Sequence, residues 1–236
     1  MNFLQLRQEV HWANINLPKS GLVTMHSGNA SGIDRDSGIV LIKPSGIDYE
    51  TLRAEDLVAL KLNGEMATEN EIPDGISSSL KPSVDAVHHL GLYREDASIG
   101  GIVHTHSNYA TAWAVHEISI PCSLTAMADE FGGGIPCAPY VDNEGENILK
   151  AILTHRTKAP AILMGHHGVF AFDSTPKKAF KAAVMTEDCS KTLLLAMHLG
   201  KVDPLPEVEI IKWWKRYHTT YGQQEIEIKY SQETTR

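Results

Sequence analysis

Residues 99–107 read Ile99-Gly100-Gly101-Ile102-Val103-His104-Thr105-His106-Ser107, an apolar run closing on two histidines. Ile99, Ile102 and Val103 mark a buried strand, and alternate side chains on a strand share a face. His104 and His106 therefore point the same way, about 7 Å apart along the backbone. Two neutral imidazoles on one rigid strand form two thirds of a catalytic metal site. A third ligand from elsewhere would complete it and leave a coordination position open for substrate. The spacing alone is weak evidence. With 12 His among 236 residues, a His-x-His arises by chance about 0.6 times per chain. Its weight comes from the rest of the sequence.

His167 is the candidate third ligand. It lies in Gly165-His166-His167-Gly168, where flanking glycines imply a tight turn that lets backbone approach a ligand closely. Asp85 is expected in the first turn of a helix. There it complements the helix dipole, ligates the metal, or orients one of the imidazoles. Two small-residue turns follow predicted strands: Ser27-Gly28-Asn29-Ala30-Ser31 and Lys43-Pro44-Ser45-Gly46. Exposed backbone N–H groups, hydroxyls and the Lys43 charge give them the chemistry of a phosphate cradle without a helical P-loop. Asp129 reads as a loop carboxylate and Tyr221 as a surface tyrosine.

Outward from the strand, Asn2 and Gln5 resemble a capping box. Leu6, Val10, Ala13 and Leu17 then recur at helical spacing up to Pro18. Strands are expected at Leu22–Met25, Gly38–Ile42 and Leu57–Leu62, the last closed by Asn63-Gly64. Residues 65–81 read as a surface excursion. A helix capped by Ser83 would carry Val84, Val87, Leu90 and Tyr93, and a short helix is expected around Tyr109–Val115. Asn143–His155 shows helical spacing, and strands Ala161–Met164 and Val169–Phe172 flank the His167 turn. Thr175-Pro176 opens a long helix to about Leu199, and Pro206–His218 is the last. The tail from about residue 224 is polar and expected to be loose. Helices and strands alternate irregularly, and several strands are joined by short turns. One α/β domain over residues 1–236, layered around a mixed or largely antiparallel sheet, fits better than a doubly wound fold.

The chain is 42% hydrophobic and 21% charged, with a net charge of −8. That suits a soluble globular fold of enzyme size with a real core. With no basic stripe, nucleic-acid binding is not expected. No apolar run approaches the ~20 residues needed to span a bilayer, and no signal pattern opens the chain. Cys122, Cys137 and Cys189 are odd in number and widely spaced, as in a reducing cytoplasm.

Taken together, several segments resemble the class II aldolase/adducin family, in particular its sugar-phosphate epimerases. They are Leu22–Ser31, Val40–Tyr49, Lys81–Asp85, Ser98–Ser107, Ala128-Asp129, Ile135–Cys137, His167-Gly168 and Tyr221-Gly222-Gln223. The resemblance implies a three-layer α/β/α fold with a central mixed, largely antiparallel sheet, assembled as a homotetramer. It implies one divalent metal per subunit, usually zinc, held by His104, His106 and His167 with Asp85 near or on it. It implies that Gly28, Asn29, Lys43, Ser45, Gly46, Ser83 and Val84 bind a sugar phosphate, Val84 through its backbone N–H. Asp129 and Tyr221 would be the acid/base pair, Tyr221 completing a neighbouring subunit's site. The implied reaction interconverts L-ribulose 5-phosphate and D-xylulose 5-phosphate by retro-aldol and aldol steps at carbon 4. The sister aldolases have glutamate at the Asp85 position and no acid at the Asp129 position, so both residues favour epimerisation. The alternatives are an L-fuculose- or L-rhamnulose-1-phosphate-type aldolase and a non-catalytic adducin-like module. A family histidine of the last helix aligns with Ile210, for which His218 is a candidate replacement.

Overall fold

The structure is a computed structural model and describes residues 1–221. The elements in chain order are α1 (Phe3–Lys19), β1 (Asn29–Asp34), β2 (Ile39–Ile42), β3 (Val58–Lys61), α2 (Ala86–Glu95), β4 (Gly101–Thr105) and α3 (Asn108–Val115). They continue with α4 (Thr125–Phe131), β5 (Cys137–Ala138), α5 (Asn147–His155), β6 (Ala161–Met164), β7 (Gly168–Asp173), α6 (Pro176–Met197) and α7 (Glu207–Thr219). The strands form one sheet in the order β3-β2-β1-β4-β7-β6-β5. Every neighbouring pair is antiparallel except β5 with β6. The mixed, largely antiparallel sheet expected from the sequence is therefore present, with β4 at its centre.

Alternation along β4 divides the core. Val103 joins Ala30, Val169 and Ala171 in a cluster with Leu17 of α1, Trp113 of α3 and Leu193 of α6. Ile102 faces the other way, with Phe170 and Ile162, against Leu90 and Tyr93 of α2 and Ile148 and Ile152 of α5. Helices thus cover both faces. By the same period of two, His104 belongs to the Ile102 face, beneath α2.

The structure corrects several local readings. Leu22–Met25 is not a strand: Leu22 is buried, but Met25 has φ +54° and the segment turns. The strand is Asn29–Asp34, whose small residues read as a turn; they are small because α1 and α6 lie over it. Ser83 does not cap α2. Asp85 is its N-cap, and the buried face is Ala86, His88, His89, Leu90, Leu92 and Tyr93, while Val84 is 82% exposed. Asp129 lies on a helix, α4, rather than in a loop. The 65–81 excursion is tied down at Asp74, which pairs with the buried Arg7 at 2.6 Å. The capping box at Asn2, the hairpin around His167 and the Thr175 cap of α6 match the expectations. The expected loose tail lies outside the described residues.

Candidate metal centre and phosphate turns

In the antiparallel ladders, His104 stands opposite Asn29 on one side and Phe170 on the other. Its Nδ1 donates to the Val169 carbonyl at 2.9 Å, which fixes the tautomer and leaves the Nε2 lone pair available to a cation. His106 follows β4 directly, where the chain turns into α3. Glu187 of α6 fixes that turn by accepting from the Tyr109 and Ala110 N–H groups at 3.0 and 2.9 Å. His167 comes from the β6–β7 hairpin, which is closed by the His167 N–H on the Met164 carbonyl at 3.0 Å, with His166 at φ +54°. Gly168 makes the close approach possible. A Cβ there would run into the Thr105 carbonyl oxygen and stand 2.7 Å from the His106 ring.

The three imidazoles converge. Ring centroids lie 4.7 Å apart for His104–His106, 4.9 Å for His104–His167 and 5.1 Å for His106–His167. One nitrogen from each lies within 4.8 Å of the others. His106 Nε2 and His167 Nδ1 are buried without a hydrogen-bond partner. Orphaned buried nitrogens cost about 1–3 kcal/mol each, and a cation at their centre would satisfy them. Three imidazole donors suit a divalent transition ion.

Burial pushes the His104 imidazole down to about 3, against the opposing pull of Asp85, and lowers His106 and His167 for the same reason. All three are neutral near pH 7, the form a metal requires. The shifts also carry a stability prediction. Below about pH 6.5 the unfolded chain takes up protons that buried His104 and His89, also pushed down to about 3, refuse. Stability without metal is full above that pH and falls steadily as pH drops below it, because the folded chain keeps both imidazoles neutral. Urea unfolding at pH 7 and pH 5 checks this; an unchanged midpoint would contradict it.

Asp85 stands beside the triad but outside the cluster of converging nitrogens. Its Oδ2 accepts from Asn29 Nδ2 at 2.7 Å and from Ser83 Oγ at 3.2 Å. Burial opposes its ionisation, yet His104, His89 and the Asn29 amide outweigh this and hold the carboxyl below its usual range.

The two phosphate-type turns meet at the same place. Ser45 N–H donates to the Lys81 carbonyl at 2.9 Å and Ser83 N–H to the Lys43 carbonyl at 3.1 Å, with Pro44 and Pro82 bridged between them. Asn29 joins them to β1 through Ser83 Oγ at 3.0 Å. Ser45 and Gly46 are exposed at the tip, Gly46 at φ +70°. Lys43 is buried, its Nζ 4.6 Å from the Tyr49 ring centroid; burial lowers its pKa, opposed by Asp48. Tyr49 in turn donates to the Ser27 and Gly28 carbonyls at 2.9 and 2.7 Å. At Gly28, φ is +74° and a Cβ would stand 2.7 Å from the His104 carbonyl, so this turn also rests on β4.

Asp129 and Tyr221 are not brought to the triad within one chain. No hydrogen bond, ion pair or ring contact among the described residues links either to His104, His106 or His167. Tyr221 is 59% exposed and stacks on Tyr217 at 5.0 Å. His218 donates from Nε2 to the Asp129 carbonyl at 3.1 Å, bracing α7 on α4. The sequence reading missed His88 and His89, both buried on α2 with ring edges on Phe170. Their signal was the His-His pair one turn after Asp85, hidden by the assumed Val84-Val87-Leu90 register.

Comparison with known proteins places these features in context. Residues 8–194 match the family described as class II aldolase and adducin N-terminal domain. The protein named L-ribulose-5-phosphate 4-epimerase UlaF from Salmonella paratyphi C is 36% identical over 234 residues, covering 93% of this chain and 99% of the relative. Its namesake from Salmonella choleraesuis matches equally well. Among solved structures, an L-fuculose 1-phosphate aldolase superposes with TM-score 0.79 at 26% identity, over 91% of this chain and 96% of its own. YgbL from Klebsiella pneumoniae shares the fold, with TM-score 0.76 at 24% identity over 90% of this chain and 99% of its own.

Proposed function

The chain belongs to the class II aldolase and adducin family, and we propose that within it this protein is a metal-dependent epimerase of pentulose 5-phosphates. It interconverts L-ribulose 5-phosphate and D-xylulose 5-phosphate. The observation that carries the metal-dependent chemistry is the three-histidine cluster with buried, unpartnered nitrogens. The epimerase relatives supply the substrate.

Carbon 4 of the ketose bears no acidic proton, so direct deprotonation cannot invert it. Cleavage of the bond between carbons 3 and 4, rotation of the aldehyde and re-addition can. His104, His106 and His167 hold the cation, with Asp85 beside it. When bound, the cation supplies Lewis-acid stabilisation of the charge that cleavage leaves on the carbonyl fragment. One of Asp129 and Tyr221 removes the carbon-4 hydroxyl proton, and the other returns a proton after the aldehyde has turned. Gly28, Asn29, Ser45, Gly46, Ser83 and the Val84 backbone cradle the phosphate, with Lys43 as a buried charge behind them. Retaining the glycolaldehyde phosphate fragment is what makes an aldolase-like site an epimerase.

The resident metal is zinc, as three imidazoles with an open position suit it. The protein is a homotetramer in which Tyr221 reaches a neighbour's site; its exposure, with no contact to its own triad among the described residues, supports this. A cytoplasmic setting agrees with three free cysteines. No helix among the described residues is long and apolar enough to cross a membrane. The aldolase reading has one observation in its favour, the 26%-identical L-fuculose 1-phosphate aldolase structure; Asp85 and Asp129 weigh against it. Chelator treatment tests the metal requirement. Conversion of L-ribulose 5-phosphate should cease on chelation and return with Zn²⁺; full turnover in chelator would refute the mechanism.

A further inference from the structure

Beneath α2 lies a buried polar chain that the reaction above does not use. His89 is fully buried, and its Nδ1 is 2.7 Å from Ser31 Oγ, which lies 2.8 Å from the buried Tyr93 hydroxyl. His89 Nε2 is buried without a partner. The direction of the chain follows from counting protons. Among the described residues Ser31 Oγ is the only acceptor for the Tyr93 hydroxyl, since the Ile102 backbone beside it donates, so the phenol proton is satisfied only by donation to Ser31 Oγ. The Ser31 proton then goes to His89 Nδ1, and the imidazole proton sits on Nε2. The opposite polarity would strand the phenol proton as well. The network thus presents a buried N–H donor with no acceptor, an arrangement costing about 1–3 kcal/mol that an apolar side chain would avoid.

Asp85 and His89 are four residues apart, neighbours on one face of α2. The Asp85 carboxylate uses only Oδ2 in its hydrogen bonds among the described residues, leaving Oδ1 spare. The His89 ring also edges Phe170 at 5.9 Å, and Phe170 stacks on His104 at 4.3 Å, so one aromatic ring joins this imidazole to the triad's most buried member.

We propose that His89 is a positioning residue for Asp85. The Tyr93–Ser31–His89 chain holds the Nε2–H ready for the spare carboxylate oxygen and keeps the carboxylate turned beside the triad when a divalent cation is loaded. This rests on the triad being the cation site.

The test is Zn²⁺ affinity of the full chain, measured by competition with a chromophoric chelator, for the wild type and for H89L, H89N and H89Q. A glutamine amide can stand where Nε2–H stands; asparagine replaces only Nδ1. H89L and H89N should bind Zn²⁺ about 10–100-fold more weakly, while H89Q stays within a few-fold of the wild type. In the D85N background, H89L should add no further loss, and the visible spectrum of the Co²⁺ form should shift in H89L and not in H89Q. Unchanged affinity in H89L, equal affinity in H89N and H89Q, or a full additional loss in D85N would overturn the proposal. If H89L fails to fold, the glutamine–asparagine comparison decides. A wild type that binds no Zn²⁺ would instead overturn the cation-site reading, on which the proposal rests.

Discussion

The variant His106→Asn should lose the proposed Zn²⁺ and epimerase turnover together while keeping its fold. His106 contributes a buried nitrogen with no partner other than the proposed cation, so removing it subtracts a ligand without breaking a hydrogen bond. Asparagine is smaller and polar, and it sits where the chain already turns under the Glu187 clasp on α3. Outer-shell losses around zinc cost about 10–100-fold in affinity, and loss of one of three imidazoles should exceed that. Metal content after dialysis, read beside kcat/KM, checks the outcome. Full metal content in this variant would remove His106 from the ligand set.

Tyr221→Phe should have nearly as large an effect by a different route. The hydroxyl has no hydrogen-bond partner among the described residues, and its ring stacking on Tyr217 survives the change. Fold and metal content should therefore stay as in the wild type. Turnover should fall by roughly 10²–10⁴, the usual worth of a positioned general acid or base. The proposed assembly sharpens the expectation. Mixed oligomers of Tyr221→Phe and His106→Asn subunits should regain activity, because an intact triad in one subunit meets an intact tyrosine from another. Mixed oligomers as inactive as their parents would place Tyr221 in its own subunit's site, and unchanged turnover in the single variant would remove it from the reaction.

Much of the candidate site could be read from the sequence because its parts are local. Strand alternation put His104 and His106 on one side, and the glycines around His166-His167 marked the hairpin that carries the third imidazole. The two phosphate-type turns were also visible as short glycine–serine segments. Their meeting was not, since it depends on long-range bonds that dock Ser45 and Lys43 on residues 81–83 and bring Asn29 to Ser83. The β1 strand escaped because Asn29, Ala30, Ser31 and Gly32 have the composition of a turn. Only the helices packed above them explain why a central strand is built from small residues. The register of α2 failed for a related reason: its buried face holds two histidines and a tyrosine, whereas the apolar Val84 and Val87 face out. A pattern of hydrophobicity cannot find a face whose buried groups are polar side chains turned onto a neighbouring strand.

The central claim is that this site breaks and remakes one carbon–carbon bond without releasing the fragment. Its most direct test is the product balance from L-ribulose 5-phosphate on the Zn²⁺-loaded protein. D-xylulose 5-phosphate and free glycolaldehyde phosphate would be followed in the same reaction. The epimerase account predicts D-xylulose 5-phosphate with no accumulation of free aldehyde. Glycolaldehyde phosphate appearing as the main product would contradict it and place the protein with the aldolases.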